Sequence, residues 1–343
     1  MRPIQIVGGG LAGLTLGIGL RERGVPVTIH EAGHYPRHRV CGEFICGRGL
    51  DSLRRLGLFE KILPNSRAAR TVRFVSRCAA SRVLTLPRSA LCISRFLLDD
   101  FLAREFRQLD GDLRENKRVR GPSAIEGVVC ASGRRLHSAA AGRRWIGLKV
   151  HAHQVPLRTD LELHLANGGY VGLCRLNQDA TNICGLFRYR TSGSAVIESW
   201  RTYLGGEPNS ELERYRAEAI LDESSFCSVT GLSYTRRDEG KAGGCALGDA
   251  FSMIAPFTGN GMSMAFEAAE LAIDPLVQYS LGRMTWSQAQ QSIVRGCTNA
   301  FRTRVSLASW LQRAMLDACL ASWLIRITHC FPRVFSVLFS HTR

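Results

Sequence analysis

The chain has 343 residues, with 45 Lys and Arg against 29 Asp and Glu, for a formal net charge of +16. Its 45% hydrophobic and 22% charged fractions are those of a globular protein of about two domains, which excludes wholesale disorder. The only lysines are Lys61, Lys117, Lys149 and Lys241; the arginines are dispersed, with short pairs such as Arg134–Arg135, Arg143–Arg144 and Arg236–Arg237. No block of five like charges occurs, so the surplus reads as arginine bias on a surface, and no nucleic-acid partner is expected. Met1-Arg2-Pro3 leads straight into Ile4–Val7, without the layout of a secretory signal, and no run of 18 uncharged apolar residues follows. The twelve cysteines are far apart and form no C-x-x-C pair. Reduced thiols, a cytoplasmic location and no metal site are expected, with His151 and His153 as ordinary strand residues.

Ile4–Val7 reads as a first strand, and Gly8, Gly10 and Gly13 then fit G-x-G-x-x-G around Leu11 and Ala12. The glycines suit a tight turn, a close backbone approach to a pyrophosphate, and close helix–strand packing, with the helix N-terminus offering N–H groups to phosphate oxygens. Gly24 ends the helix, and Val25–His30 reads as a second strand closed by Glu31, 18 residues after Gly13. An acid there accepts hydrogen bonds from a ribose 2′-hydroxyl. The motif alone leaves the dinucleotide open between FAD and NAD.

Arg39-Val40-Cys41-Gly42-Glu43-Phe44 precedes an amphipathic helix at Gly49–Gly57, and Ile93-Ser94-Arg95 opens another helix. Val128–Cys130 leads into Ala131-Ser132-Gly133. Gly147–Ala152, Leu161–Leu165, Tyr170–Cys174 and Thr181–Phe187 alternate as strands, separated by turns at Asn167-Gly168-Gly169 and Asn177-Gln178-Asp179. Leu247-Gly248-Asp249-Ala250 and the loop Ala255-Pro256-Phe257-Thr258-Gly259-Asn260-Gly261-Met262 lead into a helix of good formers. Met284–Ile327 is mostly helical with broad apolar faces interrupted by Arg304, Arg313, Asp317 and Arg326. Those faces read either as a lid packed on a greasy cavity or as interfacial helices on anionic lipid.

In these segments, from Ile4 to about Ala272, the sequence resembles the FAD-dependent oxidoreductases of the geranylgeranyl reductase and aromatic-ring hydroxylase superfamily, which includes the group A flavoprotein monooxygenases. The resemblance implies a mixed α/β (α+β) fold. A discontinuous Rossmann-like FAD-binding domain is expected at 1–70, 90–145 and 240–280, a β-rich substrate domain at 71–89 and 146–239, and a C-terminal helical region at 281–343. It further implies FAD as cofactor, with Asp249 toward its ribityl and pyrophosphate part, and Pro256, Gly259, Asn260, Gly261 and Met262 beside the ring. Arg95 falls on the family's FAD-contacting arginine, and Arg39-x-Cys41-Gly42-Glu43 on a stretch of the reductase branch. The alternative for Arg39 and for Arg95 is membership of a surface ion pair. Cys41 reads as a small buried thiol or, with Glu43, as a group near the flavin.

Two features depart from the family's pattern. Ser132 stands where its Asp usually sits, which leaves the hydride source open between NAD(P)H and an external flavin reductase. The Trp-x-Trp-x-Ile motif of halogenases is absent, so halogenation is not expected. The implied activity is redox chemistry on a lipophilic small molecule, either monooxygenation or reduction of an alkene in an isoprenoid- or polyketide-like substrate. The alternatives are an FAD-binding protein without turnover and, more remotely, a nucleic-acid-binding protein.

Overall fold

The structure, a computed structural model, describes residues 1–119, 125–133, 144–166, 168–189, 197, 199–232 and 244–342. Arg134–Arg135, Arg236–Arg237, Arg143, Asn167 and Lys241 lie outside the described residues. The first half of the chain forms β1 (Ile4–Val7), α1 (Leu11–Arg21), β2 (Val27–His30), β3 (Phe44–Ile45), α2 (Arg48–Arg55), α3 (Phe59–Ile62), β4 (Arg67–Val75), β5 (Leu84–Cys92), α4 (Arg95–Gln108), β6 (Asp112–Arg114) and β7 (Val128–Cys130). There follow β8 (Arg144–His153), β9 (Leu161–Ala166), β10 (Gly169–Arg175), β11 (Ala180–Tyr189), α5 (Trp200–Gly205), α6 (Glu211–Glu218), β12 (Ile220–Leu232) and β13 (Cys245–Ala246). The chain closes with α7 (Gly261–Ser280), α8 (Trp286–Met315), α9 (Ala318–Cys330) and α10 (Pro332–His341).

Five strands form a parallel sheet in the order β13-β7-β1-β2-β6, with Ile4 opposite Val27 and Gln5 opposite Val128. Parallel neighbours require crossovers that cover the sheet. Here α1 is buried from Leu11 to Leu20 and packs against both α4 and α7. Ile4, Ile6, Val27 and Ile29 alternate into the same core as Leu14, Ile18, Phe106 and Ile273.

The second sheet has the order β12-β8-β11-β10-β9-β4-β5-β3 and is antiparallel except between β4 and β9. It takes in Phe44–Ile45, Arg67–Val75 and Leu84–Cys92, so the chain crosses from one sheet to the other early and returns through α4. Ile146, Leu148 and Val150 on one face pack on Trp200, Leu204 and Tyr215 from α5 and α6. The other face looks toward α8 to α10, whose Met315, Ile325 and Phe335 are buried. A capping box between Thr285 and Gln288 starts α8, and Asp317 caps α9 by accepting from the Cys319 and Leu320 amides. The mixed α/β fold and the C-terminal helical region are thus present. No helix among the described residues is long and apolar enough to cross a membrane.

Candidate functional site

Residues from both sheets and from the C-terminal helices line one cavity of about 670 Å³. Its polar end is built on the first glycines. Gly8 takes φ +108°, where a Cβ would overlap Ala131 O, and a Cβ on Gly13 would overlap Gly8 O. These two glycines fold the turn onto itself. Gly10 is the opposite case: it caps α1, and a Cβ there would meet nothing within 4 Å. Gly10, Leu11 and Ala12 line the cavity, and α1 carries no side-chain cap and no acid in its first turn. The start of α1 therefore presents amide groups and the positive end of a helix dipole to the cavity.

Glu31 is buried at the end of β2. Its carboxylate accepts from the Gly9 amide at 2.8 Å and the Gly33 amide at 2.9 Å, pairs with Arg37 Nη2 at 2.5 Å, and lies 3.7 Å from Arg39 Nη2. Burial pushes its pKa up, but the amides and the two guanidinium groups outweigh it and hold the group below the usual carboxylate range. Arg95 grips Asp99 through two hydrogen bonds of 2.6 and 2.8 Å, and Arg39 Nε lies 3.0 Å from the same carboxylate. Three guanidinium groups thus face two carboxylates. Arg37 Nε and Arg39 Nε and Nη2 are buried without a hydrogen bond, and the two Arg39 nitrogens meet Asp99 and Glu31 as ion pairs only. Arg37, Arg39 and Arg95 all line the cavity.

The 3₁₀ turn Gly248–Ala250 packs against α1 so closely that a Cβ on Gly248 would lie 3.0 Å from Ala12 Cβ, which sets the half-buried Asp249 beside the glycine turn. Beyond it, the 3₁₀ turn Pro256–Thr258 and Gly259, at φ +64°, deliver the chain into α7. Pro256, Gly259, Gly261 and Met262 line the cavity, with the Phe44 ring filling the space a Gly259 side chain would need. Asn260 is buried and faces away from this surface: its Nδ2 donates to Thr342 O at 2.5 Å, and its Oδ1 has no partner.

Cys41 is half-buried in the cavity wall, its sulfur accepting from the Glu43 amide at 3.5 Å. Glu43 is fully buried, and both of its oxygens are engaged. Oε2 lies 2.6 Å from His151 Nε2, while Oε1 accepts from the Arg95 amide at 2.9 Å and lies 3.5 Å from Lys149 Nζ. Lys149 is itself fully buried and meets His38 Nδ1 at 2.9 Å. Burial raises the Glu43 pKa, but the His151 hydrogen bond and the Lys149 cation bring it below the ordinary value. Burial, then Lys149 and His151, pull His38 down to about 4. His38 and Lys149 escaped the sequence reading. The available signal was two ionisable residues, Lys149 and His151, two apart and therefore on one face of an apolar strand. His153, on the same strand, is exposed.

Ser132 is exposed at the cavity edge, with its Oγ 3.3 Å from Cys130 Sγ. The far end of the cavity is apolar. Leu163, Leu173 and Leu186 come from the second sheet, and Met315, Ile325 and Phe335 from α8, α9 and α10. The inner faces of the C-terminal helices therefore wall the cavity.

Residues 1–141 match the FAD binding domain family. Among curated proteins, the chain is 21% identical to conditioned medium factor receptor 1 of Dictyostelium discoideum, over 80% of this chain, and spans 63% of that relative's length. Among solved structures, the flavin-dependent brominase Bmp2 superposes with a TM-score of 0.76 at 17% identity, covering 99% of this chain and 93% of that one. PqsL of P. aeruginosa, solved with 2-aminobenzoylacetate, has a TM-score of 0.71 at 17% identity over 95% of this chain and 99% of its own. The p-nitrophenol 4-monooxygenase PnpA of Pseudomonas putida DLL-E4 has a TM-score of 0.74 at 12% identity over 100% and 98%. At these identities the structural likeness is one of fold. The glycine turn, the guanidinium cluster and the family match agree on an FAD-binding domain in residues 1–141, and over at least 95% of its length the chain has the fold shared by the brominase Bmp2, PqsL and PnpA.

Proposed function

We propose that the protein is an FAD-dependent monooxygenase that acts on a lipophilic small molecule. The supporting observation is a single cavity with two unlike ends: a cradle of amides and guanidinium groups at Gly10, Arg37 and Arg39, and an apolar chamber under α8 to α10. FAD, when bound, supplies the electron transfer and the activation of dioxygen, while the protein supplies orientation, charge and dryness.

In this reading Gly8, Gly10, Leu11, Ala12 and Gly13 hold the pyrophosphate at the start of α1, with Arg37 and Arg39 completing its charge. Arg95 is tied to Asp99 and acts by fixing Arg39. Glu31 holds the Gly9 and Gly33 amides and so fixes the glycine turn beside the ribose. Asp249 holds the polar chain of the cofactor. Pro256, Gly259, Gly261 and Met262 shape the floor under the flavin ring, where the start of α7 favours negative charge on the ring edge. Asn260 secures that floor from behind through Thr342. Glu43 has no oxygen left to exchange a proton with substrate; it positions the 37–44 loop and the Arg95 amide. Cys41 contacts the bound molecule.

Reduction of an alkene is the second reading, and it rests on the Cys41-Gly42-Glu43 segment in the cavity wall. Ser132 at the cavity edge leaves NAD(P)H or an external flavin reductase as electron donor. The deciding experiment reduces the FAD-loaded protein with each donor and offers lipophilic candidates under ¹⁸O₂ and under argon. Monooxygenation predicts product carrying ¹⁸O and none under argon. Saturated product formed under argon, with no label in air, would overturn it in favour of the reductase.

A further inference from the structure

Among the described residues the exposed Trp, Tyr and Phe side chains are Trp310 on α8, Trp323 on α9 and Phe331 at the junction of α9 and α10. Leu320 and Val337 are also more than half exposed there. Elsewhere the exposed large apolar residues, such as Leu63, Val83 and Leu97, stand singly. Single exposed apolar residues are ordinary, whereas a concentration on successive helices marks an interaction surface.

The charge of this region is as uneven as its hydrophobicity. Residues 281–343 carry eight arginines against a single acid, Asp317, and that acid is engaged in capping α9. Of the arginines, Arg304 is buried against Glu267, while Arg302, Arg313, Arg326 and Arg333 are exposed. Spacing puts them with the apolar residues: Trp310 and Arg313 are one turn apart on α8, as are Trp323 and Arg326 on α9, and Arg333 and Val337 on α10. Each helix therefore has an outward face of bulky apolar groups with guanidinium groups beside them. Tryptophan favours the boundary between lipid and water, and clustered arginine favours anionic headgroups.

The inner faces of the same helices wall the cavity through Leu324, Ile327 and Leu338. Val334 belongs to both surfaces: it is exposed and also lines the cavity. The outer apolar face thus continues to the cavity at that point.

We infer that the outer faces of α8, α9 and α10 dock on an anionic lipid surface, peripherally and without crossing it, with Val334 marking where an apolar molecule passes between the bilayer and the cavity. Lipid docking is independent of the flavin chemistry proposed above.

The test is flotation of the full-length, FAD-loaded protein with vesicles of phosphatidylcholine alone and of phosphatidylcholine mixed with phosphatidylserine. The inference predicts binding to the mixed vesicles at least about tenfold stronger than to phosphatidylcholine, weakening as salt rises. Indole emission should shift to shorter wavelength on lipid addition. Trp310→Ser/Trp323→Ser/Phe331→Ser and, separately, Arg313→Gln/Arg326→Gln/Arg333→Gln should each weaken binding about tenfold or more while melting temperature and FAD content stay unchanged. Equal or no binding to the two vesicle types, or binding untouched by both triple variants, would overturn the inference. So would a concentration-dependent dimer that the aromatic variant dissociates, because the face would then be an interface between two copies of the chain. FAD retention is read in the same samples, so failure of lipid binding leaves the flavin reading intact.

Discussion

Gly10 and Gly13 belong to one motif, yet a single methyl group should separate what they do. A Cβ on Gly13 would overlap the carbonyl of Gly8, so Gly13→Ala must shift backbone and should cost about 1–3 kcal/mol or more by overpacking. A Cβ on Gly10 would meet no protein atom within 4 Å. Gly10→Ala should therefore melt like the parent but lose at least about tenfold in FAD affinity, or roughly 1.4 kcal/mol. Thermal melts and flavin-fluorescence titration measure both, and a Gly10→Ala variant with parental affinity would remove the pyrophosphate from this turn. The glycine turn itself was legible in the sequence because it is local. The Glu43, Lys149, His151 and His38 cluster was not, because Glu43 and His151 are 108 positions apart and meet only when the second sheet forms. That cluster also gives the pH response a sign. His38, held near 4 in the fold, stays neutral where an ordinary histidine near 6.5 takes up a proton, so the unfolded chain binds more protons between those values. Stability should fall as pH drops from 6.5 toward 4. The depressed carboxyl of Glu43 stabilises above the ordinary value of 4.5, and that contribution is lost as pH falls through its lower folded value. His38→Asn should flatten the limb between 6.5 and 4 in a pH series of melts and leave the more acidic limb in place. An unchanged upper limb would show that His38 titrates normally.

Among the elements, α7 carries the site at its first turn and is fixed to α8 by one buried pair. Arg304 binds both oxygens of Glu267, at 2.8 and 2.5 Å, with the two side chains only 5% and 8% exposed. Removing one partner strands the other as a buried charge, so Arg304→Met or Glu267→Gln alone should cost about 3–5 kcal/mol. The double variant Arg304→Met/Glu267→Met should cost much less than the sum, because apolar side chains replace the pair without leaving a charge behind. Urea denaturation in a double-mutant cycle checks this, and additive losses would mean that the two residues act separately. In the sequence Arg304 showed only as an interruption of an apolar stripe; its partner lies 37 positions upstream on another helix. Strands β8 to β11 were legible as apolar-rich runs of five to seven residues between turn residues. The two-residue strands β3 and β13 were not, since segments so short carry no period and are strands only because β5 and β7 lie alongside them.

Across the whole molecule, the net charge of +16 resolves into two regimes. Through the first two sheets many arginines are taken up by carboxylates: Asp51 by Arg54 and Arg88, Asp99 by Arg39 and Arg95, Glu211 by Arg73 and Arg158. The C-terminal helices lack acids to do the same, so much of the surplus collects where the cavity is closed. Composition could register the total and not this division, because pairing depends on the tertiary fold. The closure makes a prediction of its own. Helix α10 contributes Phe335 to a core with Val72, Leu84 and Leu86, and Thr342 at its end accepts from Asn260 behind the α7 turn. Removing residues 332–343 takes away one cavity wall and the support of that turn, while the glycine turn and the guanidinium cluster remain. The truncated protein should keep FAD within about tenfold of the parent affinity, bind more 8-anilinonaphthalene-1-sulfonate, and release hydrogen peroxide in place of product, because a closed cavity is what keeps water and side reactions out. Flavin titration, dye fluorescence and peroxide assay separate these effects. Loss of FAD together with the wall would show that α10 holds the cofactor, whereas unchanged dye binding and product yield would show that the cavity closes without it.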